Sequence, residues 1–167
     1  MKRYLPSYEN CFVCGKKNPR GLKLALFLEE SHVRSDFMPE PELCGFSGVL
    51  HGGILSCLID EALWWSSFVA SGRFVVTKDL RVNYVKPVTI RKSYRVEADP
   101  ASPEGDHFVC KGRITDQVGN LYVEGEGTYC VLRSGKKRNP RELLVFVDEK
   151  GNPLPEEQIY PLRPGSE

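Results

Sequence analysis

The stretch VLHGGILSCLIDEALWW, residues 49–65, sets a histidine and two glycines ahead of an apolar run with two acids in its middle. From Ile54 to about Ala70 there is no Pro or Gly, and the length suits a helix better than a strand. Ile54, Leu55, Leu58, Ile59, Ala62, Leu63, Trp64, Trp65 and Phe68 put apolar surface on nearly every side of that helix. A helix apolar all round belongs in an interior. Asp60 and Glu61 are then carboxylates carried into a core, which costs free energy unless they are partnered or put to use. Ser71 and Gly72 end the run.

The flanking sequence reads as β-structure. GLKLALFL (21–28) alternates as a strand, and HVRSDFM (32–38) is its hairpin partner, with Glu29, Glu30 and Ser31 near the turn. Residues 39–48, dense in Pro and Gly, read as a loop. RFVVTKDLRVNYVKPV (73–88), YRVEA (94–98), HFVCKGRITD (107–116) and LYVEGEGTYCVL (121–132) read as four more strands. Their short connections favour antiparallel pairing. A single antiparallel sheet wrapped around one central helix buries every side of that helix, an α+β architecture with one core. Three parts follow: an N-terminal segment (1–20) holding a CxxC, the main domain (21–133), and a C-terminal extension (134–167). The extension is basic and then Pro-rich and reads as a loosely attached tail, with LLVFV (143–147) a candidate short strand.

A chain of 167 residues, 41% of them hydrophobic, has enough apolar material for one well-packed domain. The net charge of +1 provides no global field toward nucleic acid or an anionic membrane. No helix-turn-helix or basic helix is present. The sequence shows no signal peptide and no run of membrane-spanning length, so the expectation is a cytoplasmic protein with its six cysteines reduced. Cys11 and Cys14 have the spacing of half a zinc knuckle, but no second CxxC completes it. Two reduced thiols in a turn, with no metal and no cofactor, is the expected state.

A helix N-terminus presents free backbone N–H groups and the positive end of the helix dipole. His51, Gly52 and Gly53 therefore form either a simple tight entry to the helix or a cradle for a carbonyl oxygen. Asp60 is either a structural acid paired from another element or a general base or nucleophile. Thr77 is equally well a β-branched strand residue or a hydroxyl serving that acid. The lysines and arginines from Lys78 to Lys92 read first as a solvated strand face.

The phrase HGGxxxxxxDE, followed by TKDLRVNYVKP, resembles the hotdog-fold acyl-CoA thioesterases, in particular the group of bacterial phenylacetate-pathway and mammalian Them-type enzymes. The likeness runs over residues 20–133, and the CFVCGKKNPRGLKL opening looks like that of many bacterial members. In that family an acid follows the HGG histidine by nine positions, as Asp60 follows His51. The strand phrase is matched by Thr77, Asn83-Tyr84 and Pro87. The resemblance implies a hotdog fold and hydrolysis of acyl-CoA to free acid and CoA in a homodimer or homotetramer. It makes Asp60 the base or nucleophile, Gly52 the oxyanion donor, and His51 and Thr77 supporting groups. Gly53, Asn83 and Trp64 become candidate substrate contacts. Two departures stand out: the loop before HGG, ELCGFSGVL, lacks the Gln or Asn of some branches, and Trp64 stands where a Ser or Thr is common. A non-catalytic acyl-CoA sensor or carrier is the rival reading.

Spacing adds a constraint. Gly52 and Asp60 are eight residues apart, roughly 12 Å along one helix at ~1.5 Å per residue. A carbonyl oxygen and its own carbon cannot be served by two groups so far apart. If both act, they come from different subunits.

Overall fold

The computed structural model describes residues 1–132, 144–148 and 150–162. Among the described residues the one α-helix, α1, runs Gly52–Ser71. It begins two residues before Ile54 because His51 caps it: the Gly53 N–H donates to His51 Nδ1 at 2.9 Å. Gly72 ends it in the left-handed conformation, φ 65°.

Ten strands surround it: β1 (Arg3–Tyr4), β2 (Phe27–Glu29), β3 (His32–Phe37), β4 (Cys44–Phe46), β5 (Val49–Leu50), β6 (Val75–Tyr84), β7 (Tyr94–Ala98), β8 (Ser102–Glu104), β9 (His107–Asp116) and β10 (Leu121–Val131). The main sheet has the order β1-β2-β3-β7-β9-β10-β6, with β8 added beside β9. Every pairing is antiparallel. β4 and β5 make a separate small ribbon that leads into α1. The antiparallel sheet around one helix is thus the observed architecture. Within it, GLKLALFL pairs only over its last residues. Its Leu22 and Leu24 N–H groups donate instead to the carbonyls of Phe12 and Val13, in the N-terminal segment.

The helix fits because the sheet makes room for it. On β10, residues 123, 125, 127 and 129 are buried and alternate with less buried neighbours. A Cβ at Gly125 would lie 2.3 Å from Ile59 Cγ2, so glycine there lets Ile59 nest against the strand. A Cβ at Gly127 would lie 2.8 Å from the Tyr129 ring, which leans over that gap. By length and composition α1 could also cross a membrane, contrary to the expectation from sequence. Its apolar surface is used inside the sheet: Ile59, Ala62 and Leu63 are fully buried.

β6 is the last strand of the sheet. It carries a bulge, since Thr128 faces Asp79 while Tyr129 faces Thr77, leaving Lys78 as the extra residue. The bulge resets the alternation. Thr77 turns toward α1 before it, and Leu80, Val82 and Tyr84 do so after it.

The C-terminal extension departs from its reading as a loose tail. Leu144 and Leu162 are buried in the core. Ser7 and Val145 exchange two backbone hydrogen bonds of 2.9 Å, and the Tyr160 N–H reaches Tyr4 O. The expected strand at 143–147 is represented by isolated bridges, Ser7 to Val145 and Val147 to Pro153. The basic stretch 134–142 lies outside the described residues.

An ion network ties β3, β7 and β9 together. Glu97 bonds both Arg34 and Arg113, Arg34 also meets Glu29 at 2.9 Å, and Arg113 meets Asp99 at 3.0 Å. Burial pushes the Glu97 carboxyl up, but the two guanidinium groups outweigh burial and hold it below the usual carboxylate range. A depressed folded-state pKa stabilises above the unfolded value of about 4.3 and is lost as pH falls below it. The thermal midpoint of the wild type is therefore expected to fall as pH drops from about 6 to about 3. Glu97→Gln should start lower at neutral pH and fall less steeply. Parallel slopes would show that Glu97 does not carry the acid sensitivity.

Candidate active site

The open side of α1 lies beside β6. His51, Gly53, Ser56 and Asp60 are exposed or half-buried along it, while Leu55, Leu58 and Ile59 are buried. The β4–β5 ribbon sets the helix entry. The His51 N–H donates to Leu43 O at 2.9 Å, and the His51 ring lies so close to Gly45 that a Cβ there would sit 2.7 Å from Cδ2.

The cap divides the work of the two glycines. The Gly53 N–H is already taken by His51 Nδ1 and is not free for a substrate. Among the described residues nothing accepts from the Gly52 N–H. Because Nδ1 accepts, neutral His51 carries its proton on Nε2, which makes that nitrogen a donor. His51 is thereby a capping and donating group, without the free Nδ1 lone pair of a base.

Tyr84 covers this entry. Its hydroxyl donates to Gly52 O at 3.1 Å and lies 2.6 Å from Ser56 Oγ. A Cβ at Gly52 would meet its ring at 3.6 Å, an ordinary contact.

Two turns further on, Asp60 Oδ1 accepts from Thr77 Oγ1 at 3.0 Å and from Tyr129 Oη at 2.9 Å. Burial and the neighbouring Asp60 charge push the Tyr129 hydroxyl far above its usual range, so it remains a donor. Asp60 Oδ2 has no donor among the described residues. Thr77 therefore joins Asp60. Tyr129, which the sequence does not mark as a site residue, joins it too. Its only trace is the alternation of YVEGEGTYC, in which two glycines open space on the face that the tyrosine shares. Hydrogen bonds to a charged group contribute about 1.5–3 kcal/mol when sheltered and less when exposed. Thr77→Val and Tyr129→Phe are each expected to lower kcat about tenfold with KM little changed, and the pair about 10²-fold. Unchanged kcat in both would show that Asp60 needs neither hydroxyl.

The other candidates lie apart. Asn83 sits past the bulge with its side chain on the sheet face opposite α1, 3.4 Å from Glu124. It does not meet Gly52 or Asp60 of its own chain. Trp64 stacks on Phe68 and donates its indole N–H to Val75 O at 2.8 Å, tying α1 to the start of β6.

Glu61 points another way, beneath the N-terminal segment. Trp65 Nε1 donates to it at 3.1 Å, and Cys11 Sγ lies 3.8–3.9 Å from its two oxygens. Burial and the adjacent Cys11 push its carboxyl up to about 7. The two acids of the opening stretch thus have separate surroundings.

The thioesterase superfamily profile matches residues 47–123, from the β4–β5 ribbon into β10. The bovine acyl-coenzyme A thioesterase THEM4 is 28% identical over 130 residues, covering 75% of this chain and 53% of that protein. A crystal structure of a thioesterase superfamily protein superposes with a TM-score of 0.68 at 22% identity, covering 73% of this chain and 60% of that one. A Streptococcus mutans protein crystallised with acetyl-CoA superposes with a TM-score of 0.55 at 22% identity, over 66% of this chain and 87% of that one. At such identities the structures speak to the fold. The chain spans about half the length of the curated relatives it matches. The sheet and helix form the hotdog fold, and residues 47–123 are similar to the thioesterase superfamily.

Proposed function

We propose that this protein is an acyl-CoA thioesterase, hydrolysing a thioester to a free acid and CoA at a site shared by two subunits. The observation that carries the reading is Asp60, whose carboxylate is gripped through one oxygen by two hydroxyl donors and left open at the other.

In the proposed reaction, water attacks the thioester carbon as Asp60 takes its proton. The carbonyl oxygen becomes an oxyanion on the free Gly52 N–H, at the positive end of α1. His51 Nε2–H is a second donor on that side. The tetrahedral intermediate then breaks its C–S bond, and Asp60 returns the proton to the departing CoA sulfur.

Gly52 and Asp60 of one helix are too far apart to serve one thioester. The donor is therefore Gly52 of one protomer and the base is Asp60 of the other. β6 supports that pairing. It is a ten-residue strand with no neighbour on its outer edge among the described residues, and Val76 and Tyr84 on it are 46% and 50% exposed. A long open edge of this kind invites a second strand, and β6 flanks both Gly52 and Asp60.

The test is release of free CoA thiol from a panel of acyl-CoAs differing in chain length and aromaticity. Turnover of at least one supports the hydrolase. Binding of an acyl-CoA without turnover of any would establish the non-catalytic carrier, the reading that Trp64 at the usual hydroxyl position favours.

A further inference from the structure

Away from the Asp60 site, the N-terminal CxxC and the second acid of the helix meet. The ligand atoms of Cys11, Cys14 and Glu61 all lie within 4.8 Å of one another. We propose that these three side chains hold a zinc ion that staples the N-terminal segment to the middle of α1.

The cluster is built as a thiolate turn. The N–H groups of Val13 and Cys14 both point at Cys11 Sγ, at 3.3 and 3.4 Å. Such N–H to sulfur bonds favour the charged sulfur that a metal needs. Gly15 closes the turn, its N–H donating to Cys11 O at 3.1 Å. A Cβ there would fall 2.4 Å from Cys11 N and 2.5 Å from Cys11 O, so only glycine fits. Opposite, Glu61 is held in place by the Trp65 indole N–H at 3.1 Å, the kind of outer contact that orients a ligand.

The distances suit one tetrahedral ion. With Zn–S near 2.3 Å and Zn–O near 2.0 Å, sulfur and oxygen ligands lie about 3.5 Å apart. Cys11 Sγ stands 3.8 Å from Glu61 Oε2 before any ion draws them together. A water completes the tetrahedron.

Charge points the same way. Glu61 is half-buried, and no Lys, Arg or His pairs with it among the described residues. This half-buried carboxylate sits beside two cysteines with no cation among the described residues. The contrast is the cluster of His32, Glu97 and Asp99, which also has metal-like spacing but already has Arg34 and Arg113 on its carboxylates. The two thiolates of the first cluster are soft donors that favour zinc over the hard cations that carboxylates alone attract. The ion would clamp residue 61 and with it the neighbouring Asp60, a positioning role independent of whether Asp60 hydrolyses thioesters.

The experiment uses the full chain, expressed with zinc present and purified without a metal-affinity tag. Elemental analysis is expected to give about one zinc per chain. Exchange for Co²⁺ should give the strong visible bands of a tetrahedral ion and a thiolate-to-cobalt absorption. Cys11→Ser with Cys14→Ser should abolish both, and chelation of the wild type should lower its thermal midpoint. Metal-free protein after zinc-replete preparation, or bound cobalt without a thiolate band, overturns the proposal even if the variant does not fold. A folded double variant that keeps its full equivalent of metal overturns it as well.

Discussion

Asp60→Asn is expected to lower turnover of any acyl-CoA substrate by about 10³-fold, the range typical of a lost general base. The substitution is close to isosteric. The Asn carbonyl oxygen still accepts from Thr77 and Tyr129, so the two bonds that set the side chain survive. What disappears is the charge and the proton-accepting oxygen. The thermal midpoint and KM should therefore change little while kcat collapses, the pattern of an interaction made only in the transition state. A loss of less than about tenfold would remove Asp60 from the chemistry and leave it as a structural acid. The same variant mixed with substrate under single-turnover conditions separates slow chemistry from slow product release.

The helix and five long strands were legible because their signals are periodic and strong. Ile54 to Phe68 is apolar at helical spacing on nearly every side, and YRVEA and HFVCKGRITD show strand spacing. The bulge at Lys78 was not legible, because an alternating strand carries no mark where its partner adds or drops a residue. That bulge turns Thr77 to Asp60 and sends Asn83 to the opposite face. Tyr129 and Tyr84 were hidden for a related reason. Each reaches the helix only through tertiary packing, one 69 and the other 32 residues from its partner. The meeting of Cys11 and Cys14 with Glu61 spans 50 residues and is likewise invisible to local spacing. The extension looked loose because Pro and charge dominate its composition, yet Leu144 and Leu162 are enough to anchor it.

The proposed sharing of the site between two subunits permits a sharper experiment than any single variant. Pro at residue 52 would delete the free N–H and little else. Gly52 is the first helical residue, where Pro is well tolerated. His51 before it has φ −61° and ψ 133°, the extended conformation a following Pro requires. Gly52→Pro alone is expected to cost about 10²–10³-fold in kcat, as for loss of one oxyanion donor. Mixed and reassociated with Asp60→Asn, it should regain activity. In a heterodimer one site has both an intact Gly52 and an intact Asp60 and the other has neither. With random pairing, half the dimers are mixed and each has one working site, so about a quarter of wild-type activity returns. If the catalytic groups came from one chain, every chain in the mixture would lack one of them and activity would stay at background. Recovery cannot arise from an intact helix within a single protomer, since none is present. The mixing result therefore decides the subunit arrangement separately from the identity of the base.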